Sequence, residues 1–159
     1  MLLDRREFSD SQSIPHHVLF LLENCSLSFL ATADKECKPE QSLMFFTWCP
    51  QDQVVIFVTP KEVKYRNMTE NSNICVLLHS FEGLASTVAA FDGVAQTANG
   101  EEDRRYRELH SVKHPKYASA FQGEDKAVVY FEINKARLVT VKGEICYWVN
   151  PLNAEALNN

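Results

Sequence analysis

Residues 54–59, with the sequence VVIFVT, constrain the fold of this chain more than any other segment. Branched and aromatic residues in an unbroken row favour an extended strand. Two other apolar segments, 27–33 and 41–48, precede this strand, and short polar turns separate the three. Parallel neighbours would need a crossover of about a dozen residues or more. The three segments therefore predict an antiparallel meander.

The rest of the chain alternates between short helices and further strands. This order favours a small β-barrel with peripheral helices over a parallel Rossmann sheet. No G-x-G-x-x-G motif or P-loop occurs, so the usual nucleotide fingerprints are excluded. We expect a bulge or tight bend at Asp92 and Gly93, within a β-rich segment. Helices are predicted to begin at Ser13, at Thr59 (to about residue 71) and at Asn99, and a further helix is predicted over 115–121. Further strands are predicted over 73–79, 86–97, 127–133, 136–141 and 146–149.

The composition is typical of one ordinary globular domain. The chain has 159 residues, of which 45% are apolar and 23% are charged, so we expect a single domain over 1–159 with a loose polar arm at 1–12. A formal net charge of -5 provides no basic field for nucleic acid, and no polybasic run suits a membrane surface. Five cysteines and the absence of an apolar leader favour a cytoplasmic protein with reduced thiols.

The junction that starts at Thr59 carries the strongest local signal for a binding site. Thr59 as N-cap, Pro60 in the first turn and Glu62 three residues on form the pattern of a capping box. A helix start offers unpaired N–H groups and a positive dipole end, and Lys61 and Lys64 are spaced to lie over that turn. This arrangement suits a phosphate monoester. The alternative is a capped surface helix with two solvated lysines, since Glu62 opposes an anion.

An ordered series of motifs covers most of the N-terminal part of the chain. The series is LSFLATAD at 27–34, SLMFF at 42–46 after Pro39, VVIFVTPK at 54–61, KYRNM at 64–68 and NSNICVLLH at 71–79. In this order the motifs resemble the pyridoxamine 5'-phosphate oxidase-like family of FMN-binding split barrels. The resemblance covers about residues 14–97, with weaker support from the closing strands.

The resemblance implies a mainly β fold with peripheral helices, a six-stranded antiparallel split β-barrel of the Greek-key type. It also implies a homodimer with FMN in a groove that both chains share. The strand over 41–44 would lie along the isoalloxazine and ribityl groups, and the junction that follows residue 58 would meet the phosphate. The residues that the resemblance assigns to FMN are Gln41, Ser42, Leu43, Met44, Val58, Thr59, Lys61 and Lys64.

Departures from the family pattern bear on the activity. Val88 stands where relatives often carry a glutamine to the flavin, and Val63 stands where they often have Arg, Ser or Thr before the lysine. True pyridoxamine phosphate oxidases end with a tryptophan followed by an arginine- and histidine-containing motif that grips the substrate. Here no arginine or histidine follows Trp148. We therefore do not expect pyridoxal phosphate synthesis.

The resemblance leads us to expect an FMN-dependent oxidoreductase that acts on an unidentified small molecule. No catalytic side chain is assigned, because no proton-transfer residue stands out in the sequence. The alternative is a flavin- or haem-binding module without turnover of its own. A third hypothesis is a cofactor-free interaction domain whose groove is filled by side chains such as Phe45, Phe46 or Trp48.

Three histidines have no assigned binding or catalytic role. His110 and His114 have the spacing of two metal ligands on one helix face, but Pro115 interrupts that face and no third ligand is evident. We therefore expect a solvated pair at a helix end and no metal site. His79 closes an apolar strand, and in the flavin interpretation it borders the pocket.

The aromatic content of the strands favours a homodimer. Strand alternation would send about half of these side chains to the outer sheet face, where they would form a large apolar patch. A two-fold interface of more than roughly 2,000 Å² would bury that patch. The residues concerned are Phe45, Phe46, Trp48, Phe57, Phe91, Tyr130, Phe131 and Trp148.

Overall fold

The computed structural model describes residues 5–7, 13–80, 87–139, 143 and 145–152 of the chain. Within these residues, two β-sheets are surrounded by three α-helices and one 3-10 helix. The helices are α1 (His16–Asn24), α2 (Val63–Glu70), α3 (Gly100–Lys113) and the 3-10 helix (Pro115–Phe121). The strands are β1 (Arg5–Glu7), β2 (Leu27–Ala33), β3 (Pro39–Phe45), β4 (Thr47–Cys49), β5 (Val54–Pro60), β6 (Asn73–His79), β7 (Val88–Val94), β8 (Gln96–Thr97), β9 (Lys126–Glu132), β10 (Lys135–Val139) and β11 (Ile145–Val149).

The larger sheet has the strand order β1-β11-β10-β7-β6-β2-β3, and the smaller sheet has the order β4-β5-β9-β8. Neighbouring strands are antiparallel except β1 and β11, which run parallel. The mainly β, antiparallel fold with peripheral helices is therefore confirmed. The strands exceed the six that the resemblance implies: the eight predicted strand segments become ten strands, because two of them are each divided where the chain passes between the sheets. A further strand, β1, comes from the expected arm, of which 1–4 and 8–12 lie outside the described residues.

Most predicted elements agree with the structure in their bounds. β2, β6 and the 3-10 helix match at both ends, and the three closing strands begin one residue earlier than predicted. Residues 86 and 140–141 of the predicted strands lie outside the described part of the chain. α1 begins at His16 and not at Ser13, and Pro15 occupies its N-cap position without a side-chain cap.

One predicted strand, residues 41–48, is divided between the two sheets. β3 pairs with β2 in the larger sheet, whereas β4 pairs with β5 in the smaller sheet. Phe46 lies between them, fully buried, and its N–H donates to the carbonyl oxygen of Ser26 at 3.2 Å. The prediction of one continuous meander was therefore wrong, because the chain changes sheet at Phe46. The ring of Phe46 packs with that of Trp48 in the core between the sheets.

Strand β5 is buried on both faces. Val55 and Phe57 belong to a larger core that fills the space between the two sheets. Val54, Ile56 and Val58 point the other way into a smaller core, which α3 and the 3-10 helix cover. A strand that is enclosed on both sides needs apolar residues at successive positions. This requirement accounts for the sequence VVIFV.

The capping box predicted at Thr59 is not formed. β5 stays in register with β9 to its last residue, and the N–H of Lys61 then donates to the carbonyl oxygen of Asp125 at 2.9 Å. α2 begins only at Val63, with Glu62 at its N-cap position and no side-chain cap hydrogen bond. The prediction was wrong because pairing with β9 satisfies this backbone before the helix begins.

Gly93 permits a close approach between the two sheets. It lies with Asp92 inside the regular ladder of β7, so the bend predicted there was wrong, and the chain leaves the strand at Ala95 instead. A Cβ atom at Gly93 would lie 2.1 Å from the ring of Phe131 and 2.8 Å from the carbonyl oxygen of Glu132. Both of those residues belong to the smaller sheet. Glycine is therefore needed here for space and not for a turn.

His110 and His114 are buried, and the expectation of a solvated pair was wrong. Their exposed fractions are 0% and 5%. Nδ1 of His110 lies 2.9 Å from the hydroxyl of Thr47, and Nε2–H of His114 donates to the carbonyl oxygen of Phe46 at 2.8 Å. The side chain of Phe121 packs against the His110 ring with a centroid distance of 4.3 Å. The last turns of α3 therefore hold the segment at which the chain changes sheet.

Burial keeps these imidazoles neutral. Desolvation lowers the pKa of His110 from 6.5 to about 3, and the nearby His114 and Lys113 add to the shift. Desolvation also lowers the pKa of His114, although its hydrogen bond to Phe46 opposes the change. Between pH 6.5 and about 3 the unfolded chain binds a proton at His110 that the folded chain does not. Acid therefore favours unfolding.

Replacing Gly93 by alanine should destabilise the protein by about 1–3 kcal/mol, the usual cost of overpacking a core. The added methyl group would overlap the ring of Phe131 and a backbone oxygen. Urea unfolding measures the change in free energy. Val94→Ala alters the next residue, which is exposed, and should lower the free energy of unfolding much less. Equal losses in the two variants would contradict the close approach.

The free energy of unfolding should fall as the pH decreases from 6.5 toward 3, because the unfolded state alone binds the His110 proton over that range. In His110→Gln this part of the pH dependence should vanish, whatever the stability of the variant near neutral pH. Urea unfolding at a series of pH values measures the slope. His16→Gln, at an exposed position, should keep the wild-type slope. The same slope in all three proteins would show that His110 is not the responsible group.

Candidate functional site

Strand β3 forms one edge of the larger sheet and carries four of the residues assigned to FMN. Among the described strands, its only ladder partner is β2. Gln41 and Leu43 lie on the outer face of the sheet, whereas Ser42 and Met44 pair with residues whose side chains point inward. The four side chains are therefore divided between two faces. A single ligand reaches all four only by lying along the free edge of the strand.

The two lysines of the predicted phosphate site lie at the junction of β5 and α2. Lys61 is exposed and follows β5 directly, and Lys64 is half-buried in the first turn of α2. α2 packs against both β2 and β5, so it bridges one strand from each sheet. The two lysines therefore lie at the helix that meets β2 of the larger sheet and β5 of the smaller sheet.

Val58 and Thr59 do not present their side chains to this junction. Val58 lies in the smaller core, with 6% of its surface exposed. Thr59 is 0% exposed, and its hydroxyl donates to the carbonyl oxygen of Pro60 at 3.3 Å. Of the four residues assigned to this end of the cofactor, Lys61 and Lys64 are the two whose side chains are at least partly exposed and carry charged donors.

A polar cluster that the sequence reasoning missed links α2 to the hairpin of β2 and β3. Nδ2 of Asn67 donates to the hydroxyl of Thr32 at 3.3 Å and to Oε2 of Glu40 at 3.2 Å. Asn67 and Thr32 are each only 3% exposed. Two features of the sequence could have indicated this cluster. Asn67 stands three residues after Lys64, on the same face of a helix, and Glu40 directly precedes the residues assigned to FMN.

The charges around the junction are mixed. The exposed Glu62 directly follows Lys61, and the half-exposed Glu40 carboxylate lies against α2. A hydrogen bond from Lys126 holds the pKa of Asp125 below its usual value, and Lys61 contributes to this shift. The positive field of the lysines is therefore partly offset by neighbouring carboxylates.

The outer face of the larger sheet is apolar and half-open. Leu43 is 57% exposed, Val94 43% and Leu27 39%. Phe29 and Leu77, which are paired across β2 and β6, lie half-buried on the same face. The buried apolar side chains of the three α-helices all belong to the two cores, so these helices pack elsewhere.

The aromatic side chains expected on an outer face lie elsewhere. Six of the eight are buried in the cores, and only Phe45 and Tyr130 are half-buried. Phe45 packs on His114 and Tyr117, with centroid distances of 4.9 and 4.8 Å. The aromatic argument for an exposed patch was therefore wrong, because α3 and the 3-10 helix cover the second face of the smaller sheet.

A shallow groove of about 540 Å³ crosses one end of the same outer face. Ala31, Cys75 and Lys135 line it together with the exposed Asp92. Burial raises the pKa of the Cys75 thiol to about 11, and Asp92 adds to the shift. Such a thiol stays protonated at neutral pH and is a poor nucleophile. The groove adjoins the β3 edge, because Ala31 pairs with Gln41.

The residues present fit a flavin phosphate in charge and the flavin ring in surface. Lys61 and Lys64 supply charged donors, while Leu43 and its cross-strand partner Phe29 provide apolar side chains on the outer face beside the β3 edge. Across the described part of the chain, no group of three or more His, Cys, Asp or Glu side chains could hold a metal ion. Of the helices described here, none has the length and apolar character to cross a membrane.

Known proteins resemble this chain in sequence and in fold. A family model described as pyridoxamine 5'-phosphate oxidase matches residues 14–140, well over half of the chain. A Saccharomyces cerevisiae protein described as a pyridoxamine 5'-phosphate oxidase homolog is 28% identical over 82 residues, which are 45% of this chain and 41% of that protein.

Among solved structures, a haem-binding protein from Mycobacterium smegmatis aligns with a TM-score of 0.73 at 18% identity, covering 85% of this chain and 57% of that one. An FAD-binding protein from Mesorhizobium loti aligns with a TM-score of 0.65 at 13% identity, covering 79% and 94%. At such identities the structures agree in fold alone. The chain thus spans less than two thirds of the length of the yeast and mycobacterial proteins. The family model and the two antiparallel sheets nevertheless lead to one conclusion: the chain belongs to the pyridoxamine 5'-phosphate oxidase family.

Proposed function

We propose that this protein is a cytoplasmic FMN-binding flavoprotein that acts as an oxidoreductase on a small molecule. The observation that carries the proposal is the pair Lys61 and Lys64 at the β5–α2 junction, near the edge strand β3. Charge-assisted hydrogen bonds from two ammonium groups suit a phosphate in a partly desolvated site. Family membership and the FAD-binding neighbour favour a flavin over other phosphate esters.

The chain's own residues would bind and orient the cofactor. Lys64, half-buried on α2, would hold the phosphate, and the more exposed Lys61 would support it. The backbone edge of β3 would lie beside the ribityl chain, with the side chain of Leu43 against the ring. The flavin, when bound, would supply the redox chemistry. Thr59 would take part only if its hydroxyl left the carbonyl of Pro60.

A homodimer would complete this site. The half-open outer face of the larger sheet provides the apolar surface that a two-fold partner would cover, and it continues to the β3 edge through Leu43. The face also carries Asp92 beside Lys135 and Arg137 on the next strand, so a second copy could meet it with opposite charges. FMN on the β3 edge would then lie at the seam between the two chains.

The second candidate is a haem-binding module without turnover. It is favoured by the fold of the mycobacterial haem-binding protein. His79 is the described histidine that suits this function best, since it lies half-exposed in a concavity of about 400 Å³ with Phe20 and Leu27. The cofactor-free alternative is less favoured, because Phe46 and Trp48 lie in the core and do not fill a groove at β3.

Titration of the purified protein distinguishes these functions. FMN should show a shifted absorption spectrum and altered fluorescence at micromolar protein, and NADH or NADPH should reduce the bound flavin faster than free FMN. A Soret band on addition of haem, without a response to FMN, would favour the second candidate. No response to either cofactor would reject both.

Lys64→Ala should weaken FMN binding by about 1.5–3 kcal/mol, the range for hydrogen bonds to charged groups. The stability of the apoprotein should barely change, because a half-exposed lysine contributes little to folding. Fluorescence titration measures the affinity. Lys116→Ala, an exposed lysine on the 3-10 helix, is the control and should bind FMN like the wild type. Unchanged affinity in Lys64→Ala would show that the phosphate binds elsewhere.

Leu43→Glu should convert the dimer to an 18.2 kDa monomer and release FMN, because it places a charge in the proposed interface. Sedimentation equilibrium measures the mass, and flavin fluorescence measures the release. Val112→Glu introduces the same charge at a residue that is 73% exposed on α3 and should remain dimeric. A wild-type monomer that retains FMN would reject the shared site.

A further inference from the structure

We infer that Glu40 limits the preference of this site for phosphorylated over uncharged flavins. The inference rests on the proposed function, since it assumes that a flavin phosphate lies near Lys64. It concerns the charge balance of the site, because α2 carries Lys64 and also contacts the carboxylate of Glu40.

The structure holds Glu40 in place. Oε2 of Glu40 accepts from Nδ2 of Asn67 at 3.2 Å, and the same Nδ2 donates to the hydroxyl of Thr32 at 3.3 Å. Thr32 is the cross-strand partner of Glu40 in the hairpin of β2 and β3. Asn67 is 3% exposed, so its amide has little freedom to release the carboxylate. Glu40 therefore faces α2 in a defined position.

That position lies close to Lys64. Asn67 and Lys64 are three residues apart on α2, and side chains at this spacing are neighbours about 5–6 Å apart at their Cβ atoms. A phosphate bound by Lys64 would lie on the face of α2 that contacts Glu40, at a separation on the order of 6–8 Å from the carboxylate. Within the described residues, no lysine, arginine or histidine forms an ion pair with Glu40.

Repulsion between this carboxylate and a phosphate dianion offsets part of the attraction by the lysines. At 6–8 Å, even with a dielectric constant near that of water and some screening by salt, the effect on binding is about three- to tenfold. Riboflavin carries no phosphate and experiences no such repulsion. Glu40 would therefore reduce the preference of the site for FMN over riboflavin, while the lysines still favour the phosphate.

The test compares FMN and riboflavin as probes in the wild-type protein and in Glu40→Gln. Glutamine keeps an oxygen that accepts from Asn67 and removes only the charge, so the fold should be retained. Thermal unfolding of the apoprotein checks this point. FMN affinity should rise about three- to tenfold in the variant, while riboflavin affinity should stay within about twofold.

Glu36→Gln is the matched control. It removes one negative charge from an exposed residue in the turn between β2 and β3, away from the Asn67 contact. Both affinities should remain at the wild-type values, which would separate the effect of Glu40 from that of net charge.

The outcomes separate the two proposals. If both flavins bind and their affinity ratio is the same in Glu40→Gln and the wild type, the inference on Glu40 is wrong while the flavin function stands. If the variant binds both flavins more weakly, Glu40 is a positive contact and the inference is again wrong. If the wild type binds neither flavin, the proposed function is wrong and the inference is overturned with it.

Discussion

The burial of β5 on both faces is the constraint on which the rest of this structure depends. One face of the strand needs the larger sheet, and the other needs a cover that the smaller sheet cannot supply by itself. α3 and the 3-10 helix provide that cover, with Tyr106 and Phe121 in the smaller core. Because hydrophobic burial is the main favourable term in folding, the division of the chain into two sheets and a helical layer follows from this one strand.

The same constraint accounts for the two buried histidines at the end of α3. α3 packs on β5 and also on β4, which follows the segment that connects the sheets. His110 and His114 provide this attachment through Thr47 and the carbonyl oxygen of Phe46. Neutral imidazoles suit the position because each combines a flat ring for packing with a polar atom for the backbone or a hydroxyl.

The candidate site lies where the two sheets are joined by a helix. α2 contacts β2 of the larger sheet and β5 of the smaller sheet, so residues on it face groups from both. Lys64 brings positive charge to this position, and Asn67 brings Glu40 close to it. The charges of the candidate site are therefore of opposite sign and come from different segments of the chain.

The sequence by itself determined the strand-forming segments, the bounds of β2 and β6, and the two lysines that follow β5. These features depend on residue type and on spacing within contiguous segments, which local propensity and helix geometry control. Tertiary structure alone decided that Phe46 separates two sheets, that Thr59 pairs with β9 instead of capping a helix, and that His110 is buried. It also placed Asn67 against Glu40, 27 residues apart in the chain. Such outcomes depend on strand pairing and packing between distant segments, and these override local preferences because they satisfy more backbone groups and bury more apolar surface.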